Sequence, residues 1–409
     1  SAIVGTRSFG SDPERVLAQA SVYVRALQQE GVAACLKHWP GDGLDDRDQH
    51  LVTSVIPLSV DQWHELFGRI YGSLIAEGVM TVMSAHIAFP AYIRAHMPNA
   101  GREAFRPATL SHLINQRLLR DELGFRGLIV SDATGMGGLT GWMERSEAVP
   151  GVIENGCDMF LFSRMPERDY GFMLDGLRKG LLSEARLYEA VTRILTLKAR
   201  LGLHDVDPAA RMLPLDAMAA ALQTPGDQAL GTTAAGRSVT LVKDTQGLLP
   251  LDPHIHRRVV IIAEKGFSFW DGALTRGFGP ILEELAQRGF ELRIFDPEQW
   301  PTPEDTDLIL YLLGQEATPS ASRIFLDFAT LHGSHRKAMT QFSQEIPTAL
   351  ISFGQPFYLY DAPHMMTYIN AYSAIEPVQR ETARRLVGEA PFVGVSPVDP
   401  FCGQEQLRW

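Results

Sequence analysis

The sequence predicts an α/β protein with two successive domains, and three observations predict it. In the first half, short apolar runs alternate with amphipathic stretches of helical spacing, as in parallel βαβ units. The runs are continuously apolar rather than alternating, as expected for strands covered on both faces. Between residues 204 and 230 the pattern lapses into an irregular stretch (Asp205, Asp207, Pro208, Pro214, Pro225, Gly226), after which strand-like runs begin again. The expected organisation is a first domain over 1–204, a partly helical linker over 205–230, and an α/β sandwich domain with a mostly parallel sheet over 231–409.

Each element has its own signal. Asp12-Pro13 starts a helix that Gly31 stops. Val32–Leu36 reads as a buried strand, followed by a long loop from Lys37 to Pro57. Ser59 caps a helix that runs to Glu77 and ends at Gly78. Val79–Ala85, Leu128–Val130 and Cys157–Phe162 are the next strands. Helices are expected over 111–123, 144–155, 167–180 and 184–201. In the second half the strands are Ser238–Val242, Val259–Ala263, Leu292–Phe295, Leu308–Leu313, Thr348–Ser352 and Thr367–Tyr372, with a helix near Leu282–Arg288. Polar residues follow each early strand: Lys37-His38, His86, Ser131-Asp132 and Ser163-Arg164. A (β/α)8 barrel and a doubly wound sheet both place chemistry at that end of the strands, so the pattern alone does not choose between them.

Composition narrows the class. Of 409 residues, 45% are apolar and 21% charged, which excludes disordered and collagenous chains. Lys and Arg number 37 against 48 Asp and Glu, a net charge of −11 with no basic block. Nucleic acid and anionic lipid are therefore not expected partners. No apolar run approaches the roughly 18 residues of a membrane span. Three distant cysteines, none in a C-x-x-C pair, exclude a disulfide scaffold or cysteine-rich zinc module and point to a reducing, cytoplasmic setting. Neither nucleotide-binding glycine fingerprint occurs, so no cofactor is implied.

The densest polar cluster is the segment from Lys37 to His50, KHWPGDGLDDRDQH. It reads as a solvated acidic loop, as a metal site without a recognised ligand spacing, or as acid/base machinery. For the last, Asp48 and His50 stand two apart, so an extended backbone places both side chains on one face. A carboxylate there orients an imidazole and stabilises its protonated form. Asp132, ending an apolar strand, is either a helix cap or a functional carboxylate. His86 points toward the same rim and either lines the site or makes a structural hydrogen bond.

Lys37-His38-Trp39-Pro40-Gly41-x-Gly43 with Asp48-x-His50 resembles the K-H-[FW]-P-G-x-G-x4-D-x-H loop of glycoside hydrolase family 3, in its β-N-acetylhexosaminidase branch. Leu119–Asp132 resembles that family's nucleophile segment, Ile3–Gly10 an earlier loop, and Val239–Asp244 with Leu248–Leu251 the start of its C-terminal domain. The resemblance implies part of a (β/α)8 TIM-type barrel followed by the α/β sandwich. It implies a retaining enzyme that removes terminal β-linked N-acetylglucosamine from cell-wall muropeptides or related glycans. Asp132 would be the nucleophile, His50 the acid/base and Asp48 its partner, with Arg7, Lys37 and His38 holding the sugar. A phosphorylase on the same scaffold and a catalytically incomplete carbohydrate-binding protein are the alternatives. One departure stands out: many members have His where this chain has Asp42. Only four strands precede the linker, so the resemblance also implies further barrel strands ahead of residue 1, in a longer chain than this one.

Overall fold

The computed structural model describes residues 3–207, 209, 212–222, 224–264, 277–316 and 325–408. Pro208, one of the expected linker residues, lies outside them. The chain divides into two compact units. The first comprises Phe9–Met212. The second comprises most of the chain from Leu213 onward together with residues 3–8.

In the first unit, helix Pro13–Gln29 begins where Asp12 accepts the Glu14 N–H at 2.9 Å, with proline in the first helical turn. Strand β1 is Cys35–Trp39 and the short β2 is Ser54–Val55. Ser59 and Gln62 form a reciprocal cap on the helical stretch from Val60 to Ala76. Then come β3 (Thr81–Ser84), β4 (Ile87–Ala88), the helical segment Leu113–Glu122 and β5 (Leu128–Ser131). Helices Arg145–Glu154, Pro166–Lys179 and Glu184–Arg200 follow.

Strand β1 begins three residues later than the sequence pattern suggests and reaches into the expected loop. Trp39 is the reason. It is fully buried, edge-on to Trp63 and Tyr71 at 5.7 and 4.9 Å, whereas Val32 is exposed. Burying the indole carries the strand past Lys37 and His38 and leaves both on it. The expected fourth strand, Cys157–Phe162, is reduced to one parallel bridge between Met159 and Val130.

Strands β1, β3 and β5 are neighbours in that order, all parallel, with Met159 beside β5. Chain order equals spatial order with no reversal, the winding of a barrel wall. The first unit is thus part of a TIM-type barrel, and the carboxyl ends of its strands lie side by side.

At the opposite end of this wall, Asp158 bonds to β5 through both its backbone, whose N–H donates to the Ile129 carbonyl at 2.7 Å, and its side chain. Its Oδ2 accepts the Ile129 N–H at 2.8 Å and the Arg120 guanidinium at 2.7 Å, and its Oδ1 accepts Arg186 at 2.7 Å. Burial pushes the Arg120 pKa down to about 10 and, outweighing the two guanidinium partners, raises that of Asp158.

The second unit opens with helices Leu215–Leu222 and Pro225–Ser238, so much of the expected linker is helical. Its sheet contains β6 (Thr240–Asp244), β7 (Arg258–Glu264), β8 (Glu291–Ile294), β9 (Leu308–Leu313), β10 (Thr348–Ser352) and β11 (Thr367–Asn370). The order is β6-β11-β10-β9-β7-β8, with only β6 antiparallel. Alternate residues of one strand enter opposite cores. Leu308, Leu310 and Leu312 pack on one face, and Ile309, Tyr311 and Leu313 on the other. Both faces are covered, and so the strands read as unbroken apolar runs.

Asp158→Ala leaves two buried guanidinium groups without their carboxylate. We expect a loss of about 3–5 kcal/mol in urea unfolding. A loss below about 1 kcal/mol would mean that water replaces the carboxylate at little cost.

Candidate active site

Three segments converge at the carboxyl ends of β1, β3 and β5. Asp132 directly follows β5. Its backbone N–H donates to the Ser84 carbonyl at 2.8 Å, which extends the β3–β5 ladder by one residue, and its Oδ1 accepts the Ala133 N–H at 2.7 Å. Its Oδ2 lies 3.9 Å from His38 Nε2. The other nitrogen of that ring, Nδ1, lies 2.9 Å from Asp42 Oδ2. Asp42 Oδ1 in turn accepts the Gly43 N–H at 2.8 Å. Gly41 sits at φ +146°, and a Cβ there would meet the Phe67 ring at 2.7 Å, so the turn that presents Asp42 requires glycine.

The Asp48–His50 pair lies in the same loop. His50 Nδ1 is 2.6 Å from Asp48 Oδ1, which also accepts the His50 backbone N–H at 2.9 Å. The carboxylate is buried and the imidazole is partly open to solvent. Since a carboxylate only accepts, the proton sits on Nδ1, and Nε2 is the nitrogen available for exchange.

Backbone bonds tie this loop to the one after Asp132. Gly137 N–H donates to the His50 carbonyl at 2.7 Å and Gly138 N–H to the Gln49 carbonyl at 3.1 Å; Thr53 Oγ1 donates to the Gly138 carbonyl at 2.8 Å. From the far side, Arg145 donates to the Thr134 carbonyl at 2.9 Å and to Asp169 Oδ1 at 2.7 Å.

His86, left open between two roles by the sequence, is fully buried and structural. Nε2 faces the Ala133 carbonyl at 3.0 Å, so Nε2 carries the proton, and Nδ1 accepts from the Thr109 hydroxyl at 2.9 Å. Its backbone N–H donates to Gln49 Oε1 at 3.1 Å. Burial holds its pKa below the ordinary histidine value despite the opposing charge of Asp132.

The structure therefore brings together Asp132, His38, Asp48 and His50. Lys37 is exposed on β1, beside His38. Arg7 belongs to residues 3–8, which group with the second unit, and its Nη2 reaches back to the Ile3 carbonyl at 3.4 Å. Sequence reasoning missed Gln49 and Arg145, which bond to backbone groups, and Thr109, which bonds to the His86 ring; none carries a motif. Among the described residues, no three His, Cys, Asp or Glu side chains are grouped to hold a metal ion. No helix among them is long and apolar enough to cross a membrane.

Residues 1–197 match the model of the glycosyl hydrolase family 3 N-terminal domain. A β-N-acetylglucosaminidase/β-glucosidase from Cellulomonas fimi is 40% identical over 413 aligned positions, covering 98% of this chain and 72% of the relative. Among solved structures, a β-glucoside phosphorylase, BglX, is 37% identical with a TM-score of 0.91, covering 100% of this chain and 73% of the other. A family 3 β-N-acetylglucosaminidase from Paenibacillus sp. str. FPU-7 is 25% identical with a TM-score of 0.78, covering 97% of this chain and 73% of the other.

The depressed pKa of His86 means that the unfolded chain binds this proton more readily than the folded one. Its contribution to stability is therefore intact above about pH 6.5 and declines as the pH falls from there toward the folded pKa. His332, buried in the second unit, acts in the same direction. Denaturation measured between about pH 7.5 and pH 5 should show this decline, and His86→Gln, which binds no proton in that range, should show a smaller one. Equal slopes would exclude His86 as a contributor.

Proposed function

The chain belongs to glycosyl hydrolase family 3, and from that premise we propose that it is a retaining glycosidase that releases terminal β-linked N-acetylglucosamine. The observation that carries the reading is the convergence on Asp132. One imidazole lies 3.9 Å from its carboxylate, and a second, carboxylate-bound imidazole sits on a loop bonded to its own.

The chemistry is set by the free positions. Asp132 Oδ1 is occupied by the Ala133 N–H, which leaves Oδ2 to attack the anomeric carbon. The bond from that carbon to the leaving oxygen breaks, and His50, which enters this step as the imidazolium with a proton on each ring nitrogen, gives the Nε2 proton to this oxygen. In the second half, water gives a proton to Nε2 and attacks the same carbon, and Asp132 leaves as carboxylate. Two inversions give net retention. Asp48 fixes the His50 tautomer and balances the charge that develops on the ring. Lys37, His38 and Arg7 are the proposed sugar ligands. For His38 the position beside Asp132 supports this; for Lys37 and Arg7 the support is the sequence motif.

A second reading is phosphorolysis, favoured by the similarity to a β-glucoside phosphorylase. There, a phosphate oxygen replaces water in the second half. An imidazole suits that acceptor because, unlike a second carboxylate, it does not repel an anion.

The chain should hydrolyse an aryl N-acetyl-β-glucosaminide, and Asp132→Ala should lower kcat/KM by more than about 10³-fold. Turnover unchanged in that variant would sink the assignment of the nucleophile. An aryl β-glucoside assayed in parallel separates the two activities in the Cellulomonas relative's name. With phosphate added, free sugar should remain the product. Sugar 1-phosphate as the main product would establish the phosphorylase reading instead.

A further inference from the structure

We propose that Gln49 is a positioning residue that sets the distance between the acid/base imidazole and the nucleophile, a proposal that rests on the glycosidase reading. Residues 48 and 50 turn their side chains toward each other, and Gln49, between them, turns inward and is 6% exposed. Its Oε1 accepts the backbone N–H of His86 at 3.1 Å, and its own carbonyl accepts the Gly138 N–H at 3.1 Å. The His86 ring then donates through Nε2 to the Ala133 carbonyl, one residue past Asp132, at 3.0 Å. A continuous path of hydrogen bonds thus runs from the acid/base loop through Gln49 and His86 to the nucleophile loop.

The loop needs such a tie. Residues 44–53 contain neither helix nor strand, so apart from the Gly137 and Gly138 bonds to the loop's carbonyls no ladder fixes the height of His50 above the sheet. The pairing of β2 with β4, through Ser54↔Ile87 and Val55↔Ala88, holds only the residues after the loop. Gln49 supplies the bond that refers the dyad to the end of β3, where His86 also holds the nucleophile loop. A neutral amide suits this place. It accepts from a buried N–H at lower desolvation cost than a carboxylate, and it adds no charge beside Asp48. Proton transfer to the leaving oxygen depends on this geometry, and a displacement of about 1 Å costs on the order of 10²-fold.

The leaving group gives the test. Departure of 2,4-dinitrophenolate needs no acid, whereas departure of phenolate does. With the aryl glycoside that the wild type turns over, Gln49→Leu should lower kcat/KM for the phenyl substrate by about 10²-fold and for the dinitrophenyl substrate by less than about 3-fold. His50→Ala should show the same pattern, more strongly. Gln49→Glu, which keeps an acceptor oxygen, should hold the phenyl rate within about tenfold of wild type. Gln49→Asn, one methylene too short, serves if the leucine variant does not fold, with thermal melts confirming folded protein. Equal losses on both substrates, or none, in a folded variant would overturn the proposal. A separate measurement does not require turnover. In histidine labelled with 15N, the His50 Nδ1–H signal, assigned by its loss in His50→Ala, should shift or broaden in Gln49→Leu and persist in Gln49→Glu; an unchanged signal in the leucine variant would likewise overturn it. Failure of the wild type to turn over any aryl glycoside would count against the glycosidase reading, while the histidine spectrum still decides whether Gln49 sets the loop.

Discussion

The backbone N–H groups of Gly137 and Gly138 donate to the carbonyls of His50 and Gln49 at 2.7 and 3.1 Å, and neither position has room for a side chain. A Cβ on Gly137 would lie 2.1 Å from the Leu51 carbonyl oxygen, and one on Gly138 would lie 2.7 Å from both the Gln49 oxygen and the His86 Cβ. Two loops far apart in sequence can run this close only if one is bare. The geometry of the site depends on that approach. It brings the loop of Asp48 and His50 against the loop that follows Asp132, and it closes the space in which His86 is buried against both. The Asp48–His50 pair is carried by one loop and the closeness by the other.

The sheet makes the approach possible. Strands β1, β3 and β5 are adjacent in chain order, so the segments leaving their carboxyl ends emerge side by side. The first brings His38, Asp42, Asp48 and His50; the second brings His86; the third brings Asp132. The second unit winds differently. Its β7 lies between β8 and β9, so the chain reverses direction across its sheet, the doubly wound arrangement. The two units share a strand composition and differ in how their strands are ordered.

That difference explains what could be read from the sequence. Strands β9 and β10 were legible to the residue, because both faces of each are buried and composition alone marks their limits. Strand β1 was misplaced by three residues, because its end is set by the packing of Trp39 against Trp63 and Tyr71, which no local pattern records. The fourth strand is shorter than its composition suggests, a single bridge at Met159, and the Ile129 N–H at its start is taken by the Asp158 side chain. In the site, Asp48 with His50 was legible from a spacing of two, and Asp132 from its place at a strand end. Gln49, Thr109 and Arg145 were not. Each bonds to a group on another element, and such a bond depends on the fold rather than on neighbours in sequence. His86 fell between these cases, visible by position but undecided in role until both ring nitrogens had partners.

Asp42 shows how one substitution changes a site without changing its outline. The first loop carries two carboxylate–imidazole pairs, Asp42 with His38 and Asp48 with His50, at 2.9 and 2.6 Å. In each the carboxylate takes up Nδ1 and leaves Nε2 pointing elsewhere, toward Asp132 in the first pair. A histidine at position 42, usual in the family that the loop resembles, could not hold His38 through a fixed charge in the same way. A carboxylate there fixes the His38 ring against rotation and adds a negative charge beside it. A ring locked in this way presents Nε2 in one direction only, because rotation can no longer redirect it. On the proposed reading the two pairs divide the work: Asp42–His38 faces Asp132 directly, while Asp48–His50, tied by the two glycines to the loop after Asp132, is the pair that would carry the proton transfer.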